Sequence, residues 1–318
     1  MPLVTDIIIL VASALILAKS GTSLVSSISK LARFLRVSEY TVSFVIMAFA
    51  TSIPELFIGI LSAVNKTPEL SLGNVIGANI ANVTLVIGIV SLLGRNIKIK
   101  DKIIFRDSFY MLIIAVIPIL LMIDHTLSRF DGLLLLIMFF IYVYILMKNK
   151  IPMEEDEKDI KYTEIFKNVG IFLLSILLLL GSAQFLVKSA QSISIDLNVP
   201  VLLVGLFIVS IGTTLPELVF DTRAVLMKHK EQALGNTIGS VIVNSTAVLG
   251  TAALITPITS QFTLFFISAS FMIFSLFLFM TFIRSNNGLT WREGIVLLMV
   301  YLLFVIVEVY IQGLPNIS

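Results

Sequence analysis

The sequence predicts an all-α integral membrane protein of ten transmembrane helices, arranged as two inverted five-helix repeats. Three observations predict it. Of the 318 residues 58% are hydrophobic and 13% are charged, against about a quarter charged in an average soluble domain. Apolar runs of about 20 residues or more recur along the chain, a length suited to membrane helices rather than to the roughly 10-residue alternating strands of a barrel. The third observation is an internal duplication. Ala48-Phe-Ala-Thr-Ser-Ile-Pro-Glu55 is echoed by Ser210-Ile-Gly-Thr-Thr-Leu-Pro-Glu217, and Gly73–Asn82 by Gly235–Asn244. Glu55 and Glu217, Asn74 and Asn236, and Asn82 and Asn244 are each separated by 162 positions.

The spans read in order as about 3–27, 40–64, 70–93, 104–123, 130–148, 166–190, 199–226, 232–255, 260–283 and 291–312. The first apolar run leads into a second membrane segment without a small-residue cleavage site, so it is expected to be a span and not a signal peptide. Residues 1–148 and 166–318 form the two repeats, joined by the polar segment 149–165. That segment clusters Glu154, Glu155, Asp156, Glu157 and Asp159 among lysines. It reads as a solvated linker, because it lacks the Asp-x-Asp-x-Asp-Gly spacing of an EF-hand.

Basic residues set the orientation. With the N-terminus outside, the inside loops hold the lysines and arginines of 30–36, 95–106, 148–167, 223–230 and 284–292, while the outside loops hold Lys66 and Arg129. Both termini are therefore expected outside and the linker in the cytoplasm, in a multi-pass protein of the cell membrane. Five spans per half is an odd number, so the second half enters the bilayer from the opposite face. Such inverted repeats, with interrupted helices near the midplane, are an architecture of secondary transporters and predict a site at the repeat interface.

The duplicated segments carry the chemistry. An ionisable group at mid-bilayer costs at least about 2.5 kcal/mol, so Glu55 and Glu217 in equivalent positions call for a use. One reading pairs them with Lys19 or Lys188 or keeps them protonated for packing; Lys188, however, aligns with Ser26 in the repeat. The other brings both carboxylates together to neutralise one divalent cation, and hard oxygen ligands suit Ca²⁺. Pro54 and Pro216 lack an N–H and free carbonyls one turn back, near Ala48–Thr51 and Ser210–Thr213, where irregular backbone is tolerated if it lines a polar cavity. Thr51, Ser52, Thr213 and Thr214 add hydroxyls; Asn82, Asn244 and Ser240 add oxygens from neighbouring helices. Gly73, Gly77, Gly235 and Gly239 follow the small-xxx-small spacing of close helix packing. They are expected to bring the third and eighth spans against the second and seventh. Asn82-Val-Thr84 and Asn244-Ser-Thr246 match glycosylation sequons but lie at membrane depth, where they are expected to be unmodified.

At these residues the chain resembles the cation/Ca²⁺ exchanger superfamily, and within it the prokaryotic sodium/calcium exchanger type. The two alpha-repeats of that family match Ala48–Glu55 with Gly73–Asn82 and Ser210–Glu217 with Gly235–Asn244, and the likeness covers the whole ten-helix layout. The proton-coupled branch typically carries Gly-Asn-Ala/Ala-Glu where this chain has Thr-Ser-x-Pro-Glu. The resemblance implies an antiporter with four clustered cation sites. It implies Ca²⁺ on Glu55 and Glu217 with the carbonyls of Thr51 and Thr213. It also implies Na⁺ sites from those carboxylates with Ala48, Ser52, Ser210, Thr214 and Ser240, and alternating access by sliding of the first and sixth helices. Three departures stand out. Ala78 replaces a serine of the first repeat, which weakens an expected Na⁺ site; Asn244 replaces an aspartate found in several relatives, which argues against K⁺ dependence; Ser210 replaces an alanine whose carbonyl it can still supply.

Other polar residues read more plainly. Asp221 and Arg223 read first as an interfacial pair with Arg223 snorkelling to headgroups. The second reading puts Asp221 on the Glu217 face by i,i+4 spacing, in an inner ion pathway. Glu308, Asp6 and Asp124 are expected to be solvated near the outer face. His125 and His229 offer no metal-ligand spacing, and the absence of cysteine excludes disulfides and thiolate sites.

The expected activity is exchange of Na⁺ for Ca²⁺ by a secondary-active antiporter, with a cation/proton antiporter as the alternative. The sequence has no P-loop for ATP, no nucleophile–base pair for an enzyme, and no ring of pore ligands for a channel. The expected partners are the lipid bilayer and inorganic cations, with Na⁺ and Ca²⁺ as cargo, no organic cofactor, no nucleic acid and a monomeric state.

Overall fold

The computed structural model describes residues 3–34, 47–99, 102–148, 162–260, 262–285 and 287–312. The linker cluster Glu154–Asp159 and residues 40–46 of the second expected span lie outside the described residues.

The described chain is helical throughout its length, as the long apolar runs require. Nine helices among the described residues are long and apolar enough to cross a membrane. The first is α1 (Leu3–Phe34). The second expected span appears as two pieces of one broken helix, Ala48–Thr51 and Ile53–Val64, together called α2. Helix α3 covers Pro68–Gly94, followed by α4 (Lys102–Leu121), α5 (Arg129–Lys148) and α6 (Tyr162–Leu197). Helices α7 (Val201–Leu226) and α8 (Lys230–Ile255) follow, then α9 (Phe262–Ser285) and α10 (Trp291–Gln312).

Helices α3 and α8 are the most buried of the long helices, with α7 next. The rest present large apolar side chains on the outer surface, among them Phe140, Tyr144, Leu177, Ile306 and Tyr310. The sequence composition of α3 and α8 explains the difference. Their Gly, Ala, Asn and Ser residues let backbones approach closely. A Cβ built on Gly73 would lie 2.0 Å from the Leu202 carbonyl oxygen, and one on Gly77 would lie 2.0 Å from the Leu206 oxygen. Helix α3 of the first half thus packs directly against α7 of the second.

The duplication extends to local geometry. Asn82–Val86 and Asn244–Val248 are both single π-helical turns inside α3 and α8, a feature often found at functional sites. In each, a threonine bonds back to the preceding turn: Thr84 Oγ1 to Ile80 O and Thr246 Oγ1 to Ile242 O. Lys66 (φ 60°) and Lys228 (φ 68°) end the α2–α3 and α7–α8 turns, and His125 (φ 69°) and Asn287 (φ 49°) are matched in the same way. The prolines differ. Pro54 sits just after a break at Ser52, whereas Pro216 lies within the continuous run Ser210–Leu226.

Two short antiparallel ladders tie the loops at the helix ends. Asn96–Lys98 (β1), Thr126–Leu127 (β2), Ile258–Thr259 (β3) and Gly288–Thr290 (β4) pair as β1 with β4 and β2 with β3. The 20-residue helix α4 separates β1 from β2, about 30 Å at 1.5 Å per residue. The two ladders therefore lie at opposite ends of the bundle.

Three readings of polar residues are corrected here. Glu308 is not solvated: it is fully buried and accepts a hydrogen bond from Ser268 Oγ at 2.5 Å. Asp6 is likewise buried and accepts from Ser192 Oγ at 2.7 Å, tying α1 to α6. Both sit on helix faces turned toward a neighbouring helix, where a carboxylate needs a donor. Asp124 is exposed as expected. Asp221 and Arg223 do not form an interfacial pair: Asp221 is buried and Arg223 exposed, because two positions on a helix turn the side chain by about 200°.

Candidate cation site

The site is built where α2 and α3 of the first half meet α7 and α8 of the second. Glu55 and Glu217 are both 0% exposed. Among the described residues, none of their four carboxylate oxygens has a hydrogen-bond partner. Lys19 and Lys188 are exposed, so neither neutralises them. The two carboxylates lie within electrostatic range of each other. Across the repeat boundary, the Thr213 hydroxyl interacts with Glu55 and the Thr51 hydroxyl with Glu217, short of hydrogen-bond geometry.

Around the carboxylates the polar walls are paired across the halves. Thr51 Oγ1 donates to Asn236 Oδ1 at 3.2 Å, and its repeat equivalent Thr213 Oγ1 donates to Asn74 Oδ1 at 3.0 Å. Thr51 Oγ1 also lies 3.1 Å from Ser240 Oγ. Both threonines reach back to a carbonyl, Thr51 to Ala48 O at 3.2 Å and Thr213 to Ser210 O at 3.1 Å. Thr214 Oγ1 donates to the same Ser210 oxygen at 2.9 Å. The Ser210 carbonyl, expected to face a cavity, thus accepts a hydroxyl of its own helix, and the Ala48 carbonyl lies within reach of the Thr51 hydroxyl as an alternative to Asn236 Oδ1. Ser210 Oγ donates to Leu206 O, so its side chain serves its helix. Ser52 Oγ is buried with no partner among the described residues.

Asn82 and Asn244 head the two π turns. Both are fully buried. Asn244 Nδ2 donates to Asn79 Oδ1 at 3.2 Å, and Asn79 Nδ2 donates to Ser245 Oγ at 3.0 Å. Among the described residues, Asn244 Oδ1 and both polar atoms of the Asn82 carboxamide have no partner. Among the described residues no hydrogen bond joins Asn82 or Asn244 to either glutamate. Ala78 is fully buried and contributes no side-chain oxygen where Ser240 does in the second half.

Helix α1 closes the other side. A Cβ on Gly21 would lie 2.9 Å from Cγ of Pro216 and 3.1 Å from Cγ of Pro54. A single glycine therefore rests on both prolines that flank the carboxylates.

Asn74, Asn79, Asn236, Asp221 and Thr237 also belong to this polar cluster and were not singled out as site residues. The duplicated Asn74 and Asn236 were legible from their 162-position spacing and their place in apolar helices. Asp221 has Gly59 as its repeat equivalent, so the duplication carried no signal for it.

An arrangement of buried, unneutralised carboxylates among carbonyl, hydroxyl and carboxamide oxygens has the chemistry of a hard-cation site. The chain is also similar to known proteins along most of its length. The family model described as sodium/calcium exchanger protein matches residues 5–148 and 167–310. The sodium/calcium exchanger MaX1 of Methanosarcina acetivorans is 28% identical, with 96% of this chain and 99% of that protein covered. CaxA of Alkalimonas amylolytica is 32% identical over 80% of this chain and 82% of its own length. Among solved structures, the sodium-calcium exchanger NCX_Mj soaked with 10 mM Na⁺ and zero Ca²⁺ superposes with a TM-score of 0.70 at 23% identity. That match covers 96% of this chain and 99% of the other. The shared fold, the duplicated motifs and the family match together make this chain a multi-pass membrane protein of the sodium/calcium exchanger family.

Proposed function

We propose that the protein is a secondary-active antiporter that exchanges Na⁺ for Ca²⁺ by alternating access, with its cation site between the repeats at mid-membrane. The observation that carries this reading is the pair Glu55 and Glu217, fully buried, within electrostatic range of each other, and without a hydrogen-bond donor among the described residues. Two carboxylates match the charge of one Ca²⁺; monovalent cations taken in turn match it as well, which is the requirement for exchange at one cluster. Ser52, Ser240, Thr51, Thr213 and Thr214, the carbonyls of Ala48 and Ser210, and the carboxamide oxygens of Asn82 and Asn244 complete the oxygen set.

The ten-helix inverted architecture is supported by the ladders. Strand β1 and its repeat equivalent β3 fall at opposite ends of the bundle, as a two-fold axis in the membrane plane requires. In this reading residues 1–148 and 166–318 are the repeats, the linker 149–165 is cytoplasmic and both termini are outside. The contact of Gly21 with Pro54 and Pro216 supports α1 as a helix that slides past the site.

The test is ⁴⁵Ca²⁺ uptake into proteoliposomes loaded with Na⁺, beside K⁺-, choline- and acid-loaded controls, with Glu55→Gln and Glu217→Gln. Uptake that needs internal Na⁺ and is lost in either variant establishes the reading. Uptake driven equally by an acid interior without Na⁺ replaces it with a cation/proton antiporter.

A further inference from the structure

Asp221 stands on α7 one turn beyond Glu217, fully buried, with both carboxylate oxygens occupied. Asn236 Nδ2 donates to Oδ1 at 2.9 Å and Thr237 Oγ1 donates to Oδ2 at 3.1 Å. We propose that Asp221 is a positioning residue: it holds the Asn236 carboxamide nitrogen on its own side and thereby turns Asn236 Oδ1 toward Thr51 and the cation cluster. The inference rests on the cation site proposed above and adds to it a residue outside the duplicated motifs.

The argument begins from the carboxamide. Its two ends have nearly the same shape but opposite roles, an acceptor oxygen and a nitrogen with two donor hydrogens. Only the oxygen is compatible with a wall facing cations. Both Asp221 oxygens accept in the contacts observed, so the carboxamide nitrogen satisfies Asp221, whereas the carboxamide oxygen in its place would set acceptor against acceptor. The Thr51 hydroxyl then sends its proton to Asn236 Oδ1, which leaves its oxygen lone pairs free to face a cation. Reversal of the carboxamide would change this. Asn236 Nδ2 would donate to Thr51 Oγ1, and the threonine proton would move to Ala48 O, 3.2 Å away, an oxygen proposed for cations.

The first half has no such device. The equivalents of Asp221 and Thr237 are Gly59 and Val75. Thr213 donates to Asn74 Oδ1, but Asn74 Nδ2 is buried without a partner among the described residues. The two threonine–asparagine walls are therefore alike in their contact and unlike in what holds them. The orientation is imposed in the second repeat and left unimposed in the first.

The experiment is a double-mutant cycle on the full-length protein, using Ca²⁺ concentration curves for ⁴⁵Ca²⁺ uptake into Na⁺-loaded proteoliposomes. Asp221→Asn can still accept from Asn236 Nδ2 through its own carboxamide oxygen, and is expected to keep KM within about twofold. Asp221→Ala and Asn236→Ala are each expected to raise KM about tenfold, the scale of one buried hydrogen bond, with a smaller change in Vmax. The variant carrying both is expected to be no worse than either alone. Equal damage from Asp221→Asn and Asp221→Ala would overturn the proposal in favour of a direct role of the charge, and additive effects would overturn it as well. Where Asp221→Ala does not purify as a monodisperse species, a parent-like KM in Asp221→Asn beside a raised KM in Asn236→Ala supports positioning, and equal rises overturn it. Absence of Na⁺-driven uptake in the parent protein would count against the transport reading instead. The cycle is then read in melting temperature, where non-additivity supports the Asp221–Asn236 coupling and additivity overturns it.

Discussion

Thr51 and Asn236 belong to different halves of the chain and share a 3.2 Å hydrogen bond, which Thr213 and Asn74 repeat at 3.0 Å. The two bonds exchange under the 162-position offset, so each half supplies the hydroxyl to the other's carboxamide. This polar wall is in this way common property of both halves, and neither half can form it alone.

Removing either hydroxyl leaves a carboxamide oxygen buried without its donor. Such a loss costs about 1–3 kcal/mol. Thr51→Val and Thr213→Val are therefore each expected to lower the melting temperature in detergent, while Thr→Ser at the same positions largely restores it. Thr51→Val is expected to be milder at Asn236, because Asp221 still holds that carboxamide. A thermal-shift series on the four variants checks both statements.

Close helix packing makes a sharper contrast. A Cβ at Gly77 would meet the Leu206 oxygen at 2.0 Å and Ser210 Oγ at 2.7 Å, whereas nothing lies within 4 Å of one at Gly181. Overpacking typically costs about 1–3 kcal/mol. Gly77→Ala is expected to destabilise the protein and impair transport. Gly181→Ala is expected to do neither, which melting curves and ⁴⁵Ca²⁺ uptake on the two variants will show.

Gly21 tests the motion of α1. Its position over Pro54 and Pro216 leaves no room for a branched side chain, yet Gly21 contributes no ligand. Gly21→Val is expected to slow Na⁺-driven Ca²⁺ uptake severalfold through Vmax while Ca²⁺-dependent thermal stabilisation persists. Loss of that stabilisation together with transport would show a collapsed site instead of an impeded helix.

The buried carboxylate of α10 has a different expectation. Glu308 accepts from Ser268 in the packing between α9 and α10, and Leu146 occupies its repeat position. Glu308→Gln keeps an acceptor for that hydroxyl. It is expected to leave the Na⁺ and Ca²⁺ dependence of uptake unchanged, with at most about 1 kcal/mol lost in stability, measured by urea or thermal unfolding beside transport assays.

Much of this molecule is legible in one dimension. Apolar runs long enough to cross a bilayer have few alternatives to the helix, because every backbone polar group in hydrocarbon must find a partner within its own segment. A duplication with constant spacing then names its own special residues, which is how Glu55, Glu217, Thr51, Thr213, Asn82 and Asn244 stand out without coordinates. Rules of periodicity and repetition fail where a residue has no counterpart. Asp221, Asp6 and Glu308 look like surface charges in sequence because each lies near an expected helix end or beside an arginine. Only packing decides that each faces a neighbouring helix that brings a donor: Asn236 and Thr237, Ser192, and Ser268. The direction of a buried carboxamide is likewise invisible in the chain. It is set by whichever acceptor the tertiary fold places beside the nitrogen, and in this protein the fold supplies one for Asn236 and none for Asn74.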